Sequence, residues 1–456
     1  MINPVFTISL SPEEITPAVA VKYIKRHEPE LERLAKLEAY YAGQQAILDR
    51  KKDGDLSNNK LVCNHAKYIA DMTGSFLIGE PVSYSSDTDI SPLTKVLDEA
   101  DAPTQDIDLA HDGAIFGRCY EMIYVNEDVQ IRLAKLSPLN AFVVYDDTVE
   151  QKPVFAVHYY PVFNDDGTQT GYKGVISTAA YTQDIELTAA KGLAGAGEQI
   201  PHFFGKVTID EIYNNAERMS DFESVVSLID AYNTLQSDRV NDKEQFVKAL
   251  LVIKGQVLGD TDEESAEAYE AIKNSGVMVL DEHGDASFLT RQLDEGSVET
   301  LSKSISQDIH KFSGVPDMSD ENFAGNVSGV AMKLKLLALE QLTEIKERYF
   351  AEGLRYRLEC IANVLKVQGG GAFDVKGIKM QFTHSLPANE PELAQLVSTL
   401  SGTVSQETLL SLLPFVKDPA GEVDKVNEEK QENADRVLAQ QTALLHSDMH
   451  TPIGKM

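Results

Sequence analysis

The stretch from Lys311 to Leu365 constrains the fold more than any other part of the chain. It opens on KFSGVPDMSDENFAGNVSG, an acidic, Gly/Asn/Ser-rich loop whose central part holds one large apolar residue, Phe323, among Asp317, Ser319, Asp320, Glu321, Asn322, Gly325 and Asn326. Long irregular loops are uncommon in compact domains unless they serve a function. A segment so poor in apolar residues cannot bury itself, so it projects from a rigid support. The support follows at once. Leu334, Ala338, Leu342, Ile345 and Tyr349 recur at helical steps, and Phe350, Leu354, Leu358, Ile361 and Leu365 do so on a neighbouring face. Two adjacent apolar stripes predict a very long helix packed on more than one side.

The 456 residues suffice for roughly three packed units. Charge is unbalanced: 72 acidic against 41 basic residues give −31. That argues against a surface built to grip nucleic acid, because DNA affinity comes mainly from Lys and Arg displacing counterions. Two readings remain open, a protein past which DNA must slide without sticking and an acidic surface that keeps the chain soluble. Three cysteines, Cys63, Cys119 and Cys360, stand far apart with no C-x-x-C pair, which fits a reducing compartment and offers no disulfide framework or zinc site. No basic segment leads into an apolar run at the N-terminus, and eighteen apolar residues never occur together, so neither a signal peptide nor a membrane span is expected.

Residues 12–50 read as helical, with Ser11 and Glu14 as a capping box. Further helices are predicted over Cys63 to Leu77 and over Thr94 to Gly113. From Gly117 to Phe204 the chain turns β-branched and aromatic (CYEMIYV, VQIRLAKL, FVVYDD, PVFAVHYYPVF, GYKGVIS, AYTQDIEL) with acidic turns between, predicting an antiparallel meander with one buried face. A helix of about thirty residues, some 45 Å, is predicted from Ser220 to Leu250, its start marked by Ser220 and Glu223 and its face turning polar beyond Gln236. Residues 251–294 read as a small α/β insert: a strand LLVIKG, an acidic helix, and the two arms VMVLDEHG and ASFLTRQLD of a hairpin. A helix over Ser297 to Phe312 follows, making an antiparallel pair that carries the insert at its far end. GGGAFD is a hinge, GIKMQFTH a strand, and helices punctuated by proline fill the rest.

Catalytic fingerprints are missing. Gly113-Ala-Ile-Phe-Gly117-Arg118 lacks the spacing and lysine of a phosphate loop, and Gly195-Ala-Gly197 reads as a loop tip rather than a dinucleotide site. The ten histidines are scattered, and Asp146-Asp147 and Asp165-Asp166 are turn residues before they are metal ligands. No enzyme, metal or cofactor is expected.

Four segments taken together are distinctive: Leu61–Tyr84, Ser220–Phe246, His310–Leu336, and the tail-end FTHSLPANEPELAQLVSTLSG. In order and spacing they resemble the bacteriophage portal proteins of the kind found in the siphophage SPP1, nearly end to end. The resemblance implies an α+β subunit assembled as a ring of about a dozen copies around a central channel. It implies a wing over 1–219, a first stem helix over 220–250, a clip over 251–294 and a second stem helix over 295–316. A tunnel loop over 317–328, a long wing helix with a return strand over 329–381, and a helical crown with the C-terminal tail over 382–456 complete it.

By the same resemblance the ring sits at one capsid vertex of the virion, after synthesis in the host cytoplasm. Double-stranded DNA enters and leaves through it without sequence specificity. Its partners would be further copies of itself, the terminase large subunit, a head-completion or adaptor protein, and the major capsid and scaffolding proteins, with no membrane. Asp317, Asp320, Glu321, Asn322, Phe323, Gly325 and Asn326 would form the tunnel loop. Asp238, Asp242 and Glu244 are candidates for the channel lining, with a solvated helix face as the other reading. The alternative for the whole chain is a capsid scaffolding or adaptor protein that forms no channel.

Overall fold

The computed structural model describes residues 5–52, 57–247, 250–254, 261–275, 285–289, 295–318, 329–384, 390–413, 416, 419–431 and 436. The chain divides into one unit over 1–323 and 334–384 and a second over 324–333 and 385–456.

In the first unit a short strand β1 (Phe6–Ile8) precedes helix α1 (Pro17–Tyr41). The Ser11–Glu14 pairing forms, with the Glu14 carboxylate accepting from the Ser11 N–H at 2.9 Å and its hydroxyl at 3.0 Å, but it closes a single tight turn. The long helix starts instead at Pro17, capped by Thr16, whose hydroxyl accepts from the Val19 N–H. Helix α2 (His65–Leu77) begins on Asn64, whose side chain accepts from the Lys67 N–H. The single helix expected over Thr94 to Gly113 is two, α3 (Ser91–Glu99) and α4 (Ala102–Phe116). Asp101 adopts a left-handed φ of 53° between them, and Pro103 opens the second.

The expected meander is two sheets. Strands β2 (Ser83–Ser85), β3 (Arg118–Val125), β4 (Ile131–Leu136), β5 (Ala141–Asp146), β6 (Pro153–Phe163), β7 (Gln169–Thr178), β8 (Tyr181–Thr188), β9 (Leu193–Pro201) and β10 (Ile209–Tyr213) follow in order. The larger sheet runs β1-β5-β6-β7-β8-β9, with β1 parallel to β5 and the rest antiparallel; the smaller runs β10-β3-β4. The segment around Gly195 is therefore the edge strand β9 and not a loop tip.

Alternation along β5 shows why one buried face was too few. Phe142 and Val144 face α1 together with Phe155, Val157 and Tyr159 of β6 and Ala20, Tyr23, Ile24 and Phe6. Ala141, Val143 and Tyr145 face the other way, onto Tyr120 and Ile209 of the small sheet. β5 is thus buried on both sides.

Helix α5 (Val226–Val247) is shorter than expected, preceded by one tight turn over Glu223–Val225. Within the insert, β11 (Leu250–Lys254) pairs antiparallel with β12 (Asp285–Leu289), and α6 (Asp262–Ser275) lies between them in sequence. The strand ASFL thus pairs with LLVIK; the other expected hairpin arm, 277–284, lies outside the described residues. Helix α7 (Glu295–Ser313) leads to α8 (Gly329–Val367), and β13 (Lys379–Gln381) returns to pair with β2. The C-terminal half of α8 is core: Phe350 and Leu354 pack with Leu77, Leu109 and Ile212, while Leu358 and Ile361 pack with Leu93, Leu97, Ile123 and Ile378. Gly353 is needed for this approach, since a Cβ there would collide with the side chain of Ile212. Arg357, 1% exposed on that face, is held by Glu121 at 2.7 and 2.9 Å and by Asp106 at 2.6 Å. Losing one member of such a buried cluster leaves an uncompensated charge in the core.

The second unit contains helices α9 (Glu390–Leu400) and α10 (Gln406–Ser411), the latter capped by Ser405, with Leu409 buried.

His27, on the buried face of α1, lies 3.1 Å from the Tyr159 hydroxyl. Burial, reinforced by the positive charges of Arg118 and Lys191, pushes its pKa down to about 3. The unfolded imidazole binds a proton below about 6.5 while the native one stays neutral, so stability falls as pH drops from about 6.5 to 3. Asp112, pushed up to about 6 by burial, acts oppositely between about 6 and its ordinary 3.8. His27→Gln is therefore expected to lower stability at pH 7 but remove a slope of up to about 1.4 kcal/mol per pH unit, read from urea midpoints of both proteins across pH 4 to 7.

Candidate functional site

The antiparallel helices α5 and α7 pack on each other, and their polar contacts give the register. Gln236 donates to the Ser302 hydroxyl at 2.7 Å, and Lys243 and Arg239 both meet Glu295, at 2.7 and 3.6 Å. Insert strands β11 and β12 follow α5 and precede α7 in sequence, so the insert belongs to the Lys243–Glu295 end of the pair.

The opposite end is rooted in the body of the first unit. Asp221, just before the pair, accepts from Thr73 of α2 at 2.5 Å and from Asn214 at 2.7 Å, and forms an ion pair with Lys346 of α8. Glu223 takes a two-pronged bond from Arg33 of α1, at 2.7 and 2.5 Å, and its carboxylate accepts from the Ser220 N–H at 3.2 Å. The Tyr40 hydroxyl donates to Asp230 at 2.8 Å; burial and that carboxylate push its pKa up to about 12. Behind them, Gly117 closes α4 with φ of 84°, and a Cβ there would collide with the backbone carbonyl of Arg218.

Along α5 the polar face does something that its composition did not disclose. Residues 59–63 run extended across it, and their alternate N–H groups are received by side chains one turn apart. The Cys63 N–H donates to Asn233 Oδ1 at 2.8 Å, Leu61 to Ser237 Oγ at 2.9 Å, and Asn59 to Asn241 Oδ1 at 2.7 Å. Two residues of extended chain advance about 6.6 Å and four residues of helix about 6 Å, so the repeats match over three rungs. Asn233, Ser237 and Asn241 are each at most 1% exposed. None was singled out from sequence, although Asn, Ser and Asn at four-residue spacing was the available signal.

Of the three candidates for the channel lining, Asp238 sits beside this ladder and receives Arg50 at 2.5 Å and Lys52 at 3.0 Å. Burial alone would raise its pKa, but the bonds from Lys52, Arg50 and Asn241 outweigh it and hold the carboxylate below its ordinary range. Asp242 is half-buried and Glu244 exposed. The three are neither one face nor one cluster: Asp242 follows Asp238 by one turn, whereas Glu244, two residues on, lies about 200° round the helix from Asp242; Asp238 is engaged by basic side chains from 50–52, and Glu244 meets solvent.

For the expected tunnel loop, the described residues reach Met318; Asp320, Glu321, Asn322, Phe323, Gly325 and Asn326 lie outside them. The start of the loop is pinned. The Tyr68 hydroxyl of α2 donates to the Pro316 carbonyl at 2.9 Å and accepts from the Met318 N–H at 3.0 Å. Asp317 lies 3.8 Å from His310 Nε2, and His310 Nδ1 bonds the Val315 carbonyl at 2.9 Å. His65 packs edge-on between Tyr232 and His310, with ring centres 4.9 and 5.6 Å away; burial and His310 lower its pKa. α2 thus touches the helix pair and the loop base at once.

Among the described residues no three His, Cys, Asp or Glu side chains gather closely enough to hold a metal ion. None of the described helices is long and apolar enough to cross a membrane.

A mixed body of helices and two sheets, from which a rooted helix pair carries a small α/β insert, defines a modular subunit. The chain belongs to the family of phage portal proteins described as SPP1 Gp6-like, whose sequence profile matches residues 21–436. It is 26% identical over 443 residues to the portal protein of Bacillus phage SPP1, covering 93% of this chain and 86% of that one. The portal protein of Clostridium phage phiCD119 is 23% identical over 462 residues, covering 93% and 97%. Among solved structures, the neck of a native gene transfer agent (GTA) particle computed with C12 symmetry aligns with TM-score 0.45 and 12% identity, over 77% of this chain and 90% of that one.

Removing a ladder acceptor leaves a buried N–H unpaired, which costs about 1–3 kcal/mol. Ser237→Ala and Asn241→Leu are each expected to lower stability by that amount in urea unfolding followed by circular dichroism. Glu244→Gln, on the exposed side of the same helix, is expected to stay within about 0.5 kcal/mol of the parent.

Proposed function

We propose that about a dozen copies of this chain close into a ring whose axial channel passes double-stranded DNA into and out of a phage capsid. The observation that carries this reading is the match to the portal family over 21–436, nearly the whole chain, so that body, helix pair, insert and C-terminal helices all fall within it. On this reading 1–219 is the wing, 220–250 and 295–316 with α5 and α7 the stem, the insert 251–294 the clip, 317–328 the tunnel loop, 329–381 the long wing helix and return strand, and 382–456 the crown and C-terminal tail. The ring occupies one vertex of the virion.

An acidic chain suits such a channel. Each ordered lysine–phosphate pair would trap a moving polyanion, whereas a net charge of −31 per copy repels it. Salt screens charges beyond about 8–10 Å, so only groups at the channel wall act on DNA. Of the three candidates on α5 the exposed Glu244 serves that role best, since Asp238 is neutralised by Arg50 and Lys52 and the half-buried Asp242 lies on the Asp238 side of the helix. We read the chain as a structural component without catalytic activity: a separate terminase hydrolyses ATP and docks on the clip, which later receives the head-completion or adaptor protein. The wing and crown face the capsid and scaffolding proteins.

Top views of the purified protein in negative stain are expected to show rings with an axial hole. A uniform monomer at micromolar concentration would favour the non-channel scaffolding or adaptor reading instead. Incubation with DNA and magnesium or manganese is expected to leave the DNA uncut.

Deleting 251–294 is expected to leave the far-UV circular dichroism of the remaining helices and strands in place while abolishing packaging of DNA into capsids. Packaging at the parent level by a clip-deleted ring would contradict the assignment of that insert as the docking site.

A further inference from the structure

Two helices in the first unit carry apolar stripes that no described residue covers. On α8, Leu334 is 67% exposed, Leu337 45% and Ile345 49%, with Ala338 exposed among them. The opposite face of the same stretch, Leu336, Leu339, Thr343 and Lys346, is buried. On α7, Leu301 is 51% and Phe312 60% exposed, with Ile305 half-buried between them, while Ser302, Ile309 and Ser313 are buried. Leu301, Ile305 and Phe312 and, on α8, Leu334, Ala338 and Ile345 have the same spacing, steps of four and then seven. Each stripe is about 16 Å long at 1.5 Å per residue.

In a cyclic ring of more than two copies every contact is heterologous: a face of one copy meets a different face of the next. Such a ring needs two distinct complementary surfaces on one chain, and contiguous exposed apolar surface is what marks them. Resting on the ring reading above, we propose that the α8 stripe of each copy is covered by the α7 stripe of its neighbour. Each rim carries both signs. The exposed Glu344 and Arg348 flank the α8 stripe, and Lys311 and Asp308 flank that of α7, with the Lys311 ammonium 5.4 Å from the Phe312 ring centre. Each rim can thus meet opposite charges on the other, and only in a pairing that brings them together.

The test places the photoreactive residue p-benzoylphenylalanine at position 338 in the full-length chain and mixes isotopically light and heavy copies before irradiation. Capture of a peptide from 295–313 of a different copy is the expected result. Capture within the same copy only, or of any other segment, would overturn the pairing. Independently, Leu334→Glu combined with Ile345→Glu is expected to lower ring yield at least tenfold in sedimentation, with circular dichroism unchanged; parental ring yield would overturn the proposal. The unmodified protein is measured first. Absence of rings there would defeat the portal reading itself, whereas rings that give no capture from 295–313 defeat only this interface.

Discussion

A chain segment that crosses a buried surface in extended form must find an acceptor for each N–H turned towards that surface. Residues 59–63 meet that demand on α5, through Asn233, Ser237 and Asn241. The solution fixes more than one loop. Because each rung joins a given residue of the body to a given turn of the helix, α5 cannot slide along its axis without unpairing all three. Asn233 extends the lattice inward by donating to Gln45 at 2.5 Å, and Gln45 donates in turn to Asn64, the cap of α2. The axial position of α5 is thereby set by the same residues that start α2.

The long helix α8 is bound into this arrangement by charge. Lys346 reaches Asp221 at the root of the helix pair, and Arg357, three turns on, ties α8 to Glu121 of β3 and Asp106 of α4. Between these anchors Phe350 and Leu354 sit in the apolar core. Buried ion pairs of this kind add little net stability but specify one arrangement, since any displacement leaves a charge without its partner. In a portal subunit, which must hold a channel open, a single fixed geometry of body, helix-pair root and the start of the following loop is the useful property.

Periodicity made the two stripes of α8 legible, but it says that a face seeks burial without saying against what. The Phe350–Leu365 stripe is largely core of the same chain, whereas Leu334 and Ile345 on the other stripe stay exposed in it. The ladder was hidden for a related reason. Asn, Ser and Asn one turn apart look like a solvated face, and their partners lie some 170 residues away in sequence. Strand β9 was missed because LAGAGEQIP has few β-branched residues; its extension comes from pairing with β8 at a sheet edge. Thr94 to Gly113 was read as one helix because the left-handed turn at Asp101 that separates α3 from α4 is a property of the backbone. Of the loop residues named from sequence, Asp317 is held beside His310, and what holds it there, Tyr68, belongs to a helix nearly 250 residues earlier.

The central claim is that α5 is registered to the body by the ladder. Native-state hydrogen exchange resolved at the amides of Asn59, Leu61 and Cys63 tests it most directly. The account predicts that these three, although outside regular secondary structure, exchange as slowly as the central amides of α5 and lose protection together with them in rising denaturant. Exchange at the rate of an unstructured loop, with α5 still protected, would contradict it.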